Sequence, residues 1–400
     1  VTRSPKSKLP FEVWALVAGA FTVALGYGVV APAIPQFALE FDVSNFAASA
    51  IVSAFAGMRL VSAPFAGWVV AKFGERRSYT IGILIVAIST GAAAFAQDYT
   101  QFVVLRGAGG VGSSMFTVAA TALLVKMSPL NARGRVASLN AAGFLLGGLL
   151  GPVFGGIVSV FGLRAPFVFY FFMLLIAAAV VAIALRNSKA AGSPGVGTPK
   201  AEAMPFGAAL RIPQYRALLL SVFTFGWASF GVRVSIVPIF VAVVFNGDAA
   251  MAAWVLAAYA AGNAIFIFPS GRWTDSVGRK PLLIIGMLVL AITYWAFPLA
   301  PNLWLAMLAM LLAGAGSALA NPAQQAVLAD VLNGRSGGGV VAGYSMASDL
   351  GGVLGPLVAG FVVDFAGFGW AFGITAILLL VAMVGWTFVT DLNKKGTAAA

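Results

Sequence analysis

The stretch "GGLLGPVFGG" (residues 147–156) lies inside a long apolar run, yet half of it is glycine and it carries a proline. Both residue types are poor helix formers in water. Gly147, Gly151 and Gly155 recur at i, i+4 and i+8, which sets them on one helix face as a stripe without side chains. Such a stripe suits a place where another helix backbone comes close, a common mode of helix association in a bilayer. Pro152 removes one backbone hydrogen bond and kinks the helix, which a bilayer tolerates against a packed neighbour. The stretch reads as a packing seam between two membrane helices.

The surrounding sequence agrees. Hydrophobic residues make up 61% of the 400 and charged residues 9%, against about 25% charged in soluble proteins. The apolar runs are of bilayer-spanning length, about 20 residues each, and the period-2 alternation of membrane β-barrels is missing. Apolar runs between charges and turns give twelve spans. They are 11–36, 46–71, 78–97, 101–127, 136–160, 166–186, 215–245, 251–272, 280–299, 302–328, 340–363 and 368–390. There is no cysteine and no histidine, so disulfides, thiolate or HExxH metal sites and Ser/His or Cys/His catalysis are excluded. No cofactor and no metal is expected.

Arg3, Lys6 and Lys8, an apolar stretch and "APA" (31–33) imitate a secretory leader. The apolar stretch from Val13 to Ala33 is longer than a leader's core, so a first transmembrane helix is expected. Placing both termini in the cytoplasm puts 20 of the 24 Lys and Arg in cytoplasmic segments, and only Arg164 in an outside loop. This is the positive-inside pattern of a multi-pass protein of the cytoplasmic (plasma) membrane. The net charge of +12 then needs no nucleic-acid partner. A Gly/Pro/Ser/Ala-rich polar stretch, "NSKAAGSPGVGTPKAEAMP" (187–205), separates two sets of six spans. The expected domains are 1–186, a cytoplasmic linker at 187–214, and 215–400.

The two sets repeat. At a shift of 204, "GWVVAKFGERR" (67–77) falls on "GRWTDSVGRKP" (271–281), "GGVGSS" (109–114) on "AGAGSA" (313–318) and "GPVFGG" (151–156) on "GPLVAG" (355–360). The first span fits at 203, with Gly28 on Gly231 and Pro35 on Pro238. The expected fold is all-α: twelve transmembrane helices in two pseudo-symmetric six-helix bundles.

On these motifs the chain resembles the major facilitator superfamily, and within it the twelve-helix drug:proton antiporters. The family's G-x-x-x-D-x-x-G-R-[KR] gate loop matches Gly271, Asp275, Gly278, Arg279 and Lys280. The first copy keeps Gly67, Gly74, Arg76 and Arg77, with Ala71 where the family usually has Asp. The R-x-x-x-G-x-G pattern matches Arg106, Gly110 and Gly112. The opening stretch matches G-x-x-x-G-P-x-x-G-G at Gly147, Gly151, Pro152, Gly155 and Gly156, a motif the resemblance associates with proton-driven antiport and export.

Charges at membrane depth are costly, on the order of 2.5–3.5 kcal/mol or more each. By span position the deep ones are Arg59, Arg106, Arg233 and one acid, Asp349. Arg59 lies roughly 12 Å of helix rise from Gly67, and Asp349 roughly 15 Å from Gly339, so the two are at similar depth. The resemblance implies that their helices face each other. An ion pair between Arg59 and Asp349 that competes with a proton on Asp349 is the expected coupling device. The resemblance gives Arg106 a role in proton handling; its alternative is a helix-end arginine reaching for the interface. Arg233 has Val30 at the first copy's position, and either attracts an anionic group or supports the helix at Pro238.

Tyr27, Asn263, Asn321, Gln324 and Gln325 supply polar groups to an expected substrate cavity, with Met115, Phe116, Trp227 and Arg233. Aromatics and Met suit an adaptable greasy pocket. The expected function is export of hydrophobic or amphiphilic small molecules in exchange for protons, by alternating access of a monomer in the lipid bilayer. Import of a sugar or organic acid, or export of a lipid, are the alternatives on the same fold. An intramembrane enzyme is not expected, because one deep acid cannot make a two-carboxylate site.

Overall fold

The computed structural model describes residues 9–128, 133–186, 204–333, 335 and 337–390. The side chains of Val125, Arg133, Gly134, Arg135, Ala137, Ser138 and Asp275 also lie outside the description. So do most of the expected linker and the basic residues Arg3, Lys6, Lys8, Lys189, Lys200, Lys394 and Lys395.

The chain divides into two compact units, Val1–Ala33 with Ala54–Val196, and Ile34–Ser53 with Gly197–Ala400. In chain order the helices begin with α1 (Phe11–Val30), α2 (Ala33–Leu39), α3 (Asn45–Phe73) and α4 (Glu75–Ala93). Then follow α5 (Tyr99–Met127), α6 (Arg133–Ser159) and α7 (Ala165–Ala184). Next are α8 (Phe206–Leu210), α9 (Pro213–Phe225), a π-helical segment (Gly226–Val232), α10 (Arg233–Val244) and α11 (Ala249–Ser276). The series ends with α12 (Arg279–Ala296), α13 (Leu303–Leu332), α14 (Gly338–Ala366) and α15 (Phe368–Thr387). Among the described residues there is no β-strand.

Eleven helical stretches among the described residues are long and apolar enough to cross a membrane. The twelfth expected span is α4. It opens on Glu75, Arg76 and Arg77 and carries Ser78, Thr80, Ser89 and Thr90, so it is less apolar. It packs on α5 and α7, and a helix covered by protein needs less lipid-facing hydrophobicity. The first expected span is two helices rather than one. The chain turns at Ala31–Pro32, and Pro35 falls in the first turn of α2, where a missing N–H breaks no helical bond.

Both units are built on one plan. In the first, α1 packs on α6 and α7, and α4 on α5 and α7. In the second, α9 and the π segment pack on α14, and α12 on α13 and α15. Small turns repeat too: Asp42 and Asn246, 204 apart, both take left-handed backbone, and Asp98 and Asn302 cap α5 and α13 alike. Phe268, Trp304 and Phe388 are 77%, 77% and 84% exposed, which lipid solvates and water would not.

Candidate functional site: two glycine seams and their ring-stacked cations

In the first unit the glycine stripe of α6 lies against α1. A methyl group on Gly151 would lie 2.6 Å from the Gly28 Cα and 2.7 Å from the Leu25 carbonyl oxygen. One on Gly155 would lie 2.9 Å from the Val29 carbonyl oxygen, and one on Gly147 would run into that of Phe21. A methyl on Gly28 would meet the Gly151 Cα at 2.9 Å and the Pro152 Cδ at 3.1 Å. Only backbone fits on either side, so the seam needs glycine on both helices. Gly148 faces open space, and Gly156 is buried.

The second unit repeats the seam with one difference. Gly147 faces Phe21 and Leu25; its counterpart Gly351 faces Phe223 and Trp227, 202 residues further on. One turn later Gly28 meets Gly151 and Pro152, while Gly231 meets Gly355 and Pro356; Gly28 and Gly231 are 203 apart. One extra residue has therefore entered the second copy between Trp227 and Gly231. It is absorbed in the π-helical segment Gly226–Val232, a wide turn that recurs at functional sites. Carbonyls in this turn take side-chain donors: Tyr294 Oη donates to Ala228 at 2.7 Å, and Arg233 Nε to Ser229 at 2.8 Å.

Each unit also stacks a guanidinium on an aromatic ring. In the first, the Arg106 guanidinium carbon lies 4.7 Å from the Phe55 ring centre. In the second, that of Arg233 lies 4.0 Å from the Tyr259 ring centre. Phe55 and Tyr259 are 204 apart and so occupy equivalent places. The cations do not: Arg106 comes from α5, Arg233 from the start of α10. Alignment with Val30 gives Arg233 no counterpart, whereas in space Arg106 is its counterpart. Arg106 is 2% exposed and its Nε has no hydrogen-bond partner. The reading of Arg106 as a helix-end arginine reaching for the interface is therefore wrong, because the side chain is sealed among rings.

The gate-loop residues form a second repeated feature. Gly67 and Gly271 face open space. Gly74 and Gly278 have φ of 83° and 104°, a backbone that side chains rarely adopt, and each starts the next helix. Arg76 donates to the carbonyls of Arg186 (3.0 Å) and Ala182 (3.5 Å) at the end of α7. Lys280, 204 further on, donates to Thr387 (3.0 Å) and Val389 (2.7 Å) at the end of α15. Both satisfy carbonyls that a helix terminus leaves open. Beside them, Glu75 pairs with Lys126, and Arg279 Nε lies 3.1 Å from Asp330 Oδ2. These positions are equivalent, with the signs exchanged. Ala71 and Arg77 are exposed. The Asp275 side chain lies outside the described residues.

The expected cavity residues are distributed unevenly. Tyr27 is half-buried, its ring centre 6.2 Å from that of Phe55. Met115 is buried beside Ala66 and Val69, and Phe116 is edge-on to Tyr79 at 5.1 Å. Trp227 is buried and donates to Thr375 at 3.1 Å. Asn263 donates to Ser317 at 3.2 Å. Gln324 is buried with its amide nitrogen lacking a hydrogen-bond partner; Asn321 is half-buried and Gln325 exposed. Arg59 on α3 and Asp349 on α14 are each half-buried.

One cluster had no role in the sequence reading. Asp364 on α14 accepts from the Asn45 amide (3.1 Å), Asn45 Nδ2 (2.8 Å) and the Phe46 amide (2.9 Å). It caps the open N–H groups of α3. Ser49 and Ser53 donate to the carbonyls of Pro356 and Val353, each at 2.7 Å. The signal available in the sequence was that Asp364 falls on Val160 at the repeat shift, a carboxylate added to one copy only.

Repeated helical units with backbone-tight seams, built from helices long and apolar enough to cross a membrane, define a polytopic membrane protein. The profile of the Major Facilitator Superfamily matches residues 16–245 and 218–400, and the chain belongs to that family. Multidrug resistance protein 1 of Bacillus subtilis (strain 168) is 25% identical over 354 residues, covering 87% of this chain and 89% of that protein. Multidrug resistance protein 2 of the same organism is 31% identical over 173 residues, and that match spans 43% of this chain and 43% of the relative. The quinolone resistance protein NorA of Staphylococcus aureus (strain N315) is 25% identical over 158 residues, 40% of this chain and 41% of that protein. Among solved structures, a bacterial homologue of the human lysosomal transporter Spinster, inward-facing and unoccupied, gives a TM-score of 0.75 at 18% identity. That match covers 94% of this chain and 95% of the other. A D-xylose–proton symporter gives 0.69 at 19% identity, covering 95% and 98%. At such identity these two share the fold alone. The chain is a multi-pass membrane transporter of small molecules.

Proposed function

We propose that this transporter exports hydrophobic or amphiphilic small molecules in exchange for protons, by alternating access of the bundles 1–186 and 215–400 joined by the linker 187–214. The observation that carries the reading is the α1–α6 seam: the antiporter motif glycines meet Gly28 at a separation that admits no side chain. The multidrug resistance proteins among the relatives support it. Both termini are cytoplasmic, in keeping with the placement of the basic residues, and a monomer in the lipid bilayer is the working unit.

Asp349 is the proton carrier in this reading, Arg59 its intermittent partner, and Arg106 the group that tunes proton movement. The polar groups of Tyr27, Asn263, Asn321, Gln324 and Gln325, with Met115, Phe116, Trp227 and Arg233, serve the substrate. Uptake of dye into everted vesicles under an imposed pH gradient, beside counterflow without one, tests the coupling. Asp349→Asn mimics the protonated state: counterflow persists and uphill accumulation is lost. Accumulation by that variant equal to wild type moves the proton site elsewhere.

A further inference from the structure

The two stacked guanidiniums differ in what remains available on them. Arg106 is sealed, whereas Arg233 is half-buried. Its Nε is committed to the Ser229 carbonyl, and its plane is held over the Tyr259 ring. Ser229 Oγ and Tyr259 Oη in turn bond each other at 3.1 Å, so both supports are fixed. Among the described residues no carboxylate pairs with Arg233. With Nε used, the edge left is the one carrying Nη1 and Nη2, a fork that matches the two oxygens of a carboxylate. A charge kept at membrane depth without an acid of its own is costly, and the π turn that sets it there has no equivalent in α1.

We propose that the terminal nitrogens of Arg233 recognise an acidic group, a carboxylate or similar oxyanion, on the transported compound. This rests on the reading of the chain as a small-molecule exporter and narrows its substrates to acidic and zwitterionic amphiphiles. Neutral and purely cationic compounds lack the group that completes the site. The ring of Tyr259 and the carbonyl of Ser229 act as positioning groups: they hold the fork without contacting the substrate's acid.

The test separates binding from transport. Rhodamine B and its ethyl ester differ only in whether the carboxylate is free. Their affinities for the purified full chain in phosphatidylcholine nanodiscs are read by fluorescence anisotropy at neutral pH. The acid binds at least about tenfold more tightly than the ester, the scale of one charge-assisted fork. Arg233→Gln removes that preference by weakening the acid about tenfold while the ester stays within about twofold. Arg233→Lys, which keeps charge but loses the fork, and Tyr259→Leu, which removes the stacked ring, each retain part of it. Thermal melting confirms that the variants are folded. Equal affinities in wild type, no saturable binding of the acid, or parallel loss of both dyes in Arg233→Gln overturns the proposal. So does loss of the preference on adding phosphatidylglycerol, which would assign the fork to a lipid headgroup. Vesicle export of the acid under a pH gradient is a separate arm. If binding discriminates and export fails, the exporter reading falls and the recognition stands.

Discussion

The α1–α6 seam and its copy between α9, the π segment and α14 start from the same glycines and end in different helices. In the first unit α1 runs as a continuous α-helix, and the seam is uniform. In the second, one added residue is taken up as a wide turn, yet Gly231 still reaches Gly355 and Pro356 as Gly28 reaches Gly151 and Pro152. The close approach was kept while the helix around it changed. Backbone contact is the constrained part of this architecture, because a displaced carbonyl cannot give way as a side chain can. The wide turn is the free part, and there the second copy gained a cation with one open edge.

Breaking the constrained part has the largest effect. Gly151→Leu abolishes export while the protein still reaches the membrane, measured by vesicle transport beside the amount of membrane-bound chain. Gly151→Ala is milder but still costs about 1–3 kcal/mol, as overpacking does. Gly355→Ala is gentler again, since its nearest contacts begin at 2.9 Å against 2.6 Å for Gly151. Equal melting temperatures for the two alanine variants would remove the difference between the seams.

Deleting one residue from the wide turn comes next. Phe230 is 51% exposed, so its loss removes little packing. Its deletion restores the count of the first copy, with Phe223, Trp227 and Gly231 still meeting α14. The variant stays folded within about 1–2 kcal/mol of wild type and loses the affinity difference between rhodamine B and its ester. Unfolding on this deletion would show that the turn is needed for the seam itself.

The smallest effect lies in the exchanged ion pairs. Glu75 and Asp330 are acids at opposite ends of equivalent bridges. An acid in the first turn of a helix is favoured by about 0.3–1 kcal/mol and a cation disfavoured, so the first copy has the better polarity. Glu75→Lys alone destabilises by about 1 kcal/mol or more through like-charge contact, and adding Lys126→Glu recovers most of it. Arg279→Glu with Asp330→Lys stabilises slightly. Thermal melting of the single and double variants reads each pairing, and no recovery in either double variant would make these bridges incidental.

Much of this was legible in the chain alone. Span length, the positive-inside bias and the shift of 204 are local or periodic properties, and they gave the helices, the duplication and the family resemblance. The glycines at 147, 151 and 155 announced a close approach, because residues four apart share a helix face in any surroundings. The partner of that face was not legible, nor was the change of shift from 202 to 203 between Trp227 and Gly231. Alignment by residue type left Arg233 without a counterpart, and left Arg106 open between proton handling and a helix end at the interface. In space both guanidiniums lie on equivalent rings, reached from different helices. The same holds for Asp364 capping α3, and for a bridge whose signs exchange between copies. Each is a contact between segments far apart in sequence, where only geometry decides which atoms meet; the periodicity of one helix records that a face is small or charged, and not what lies against it.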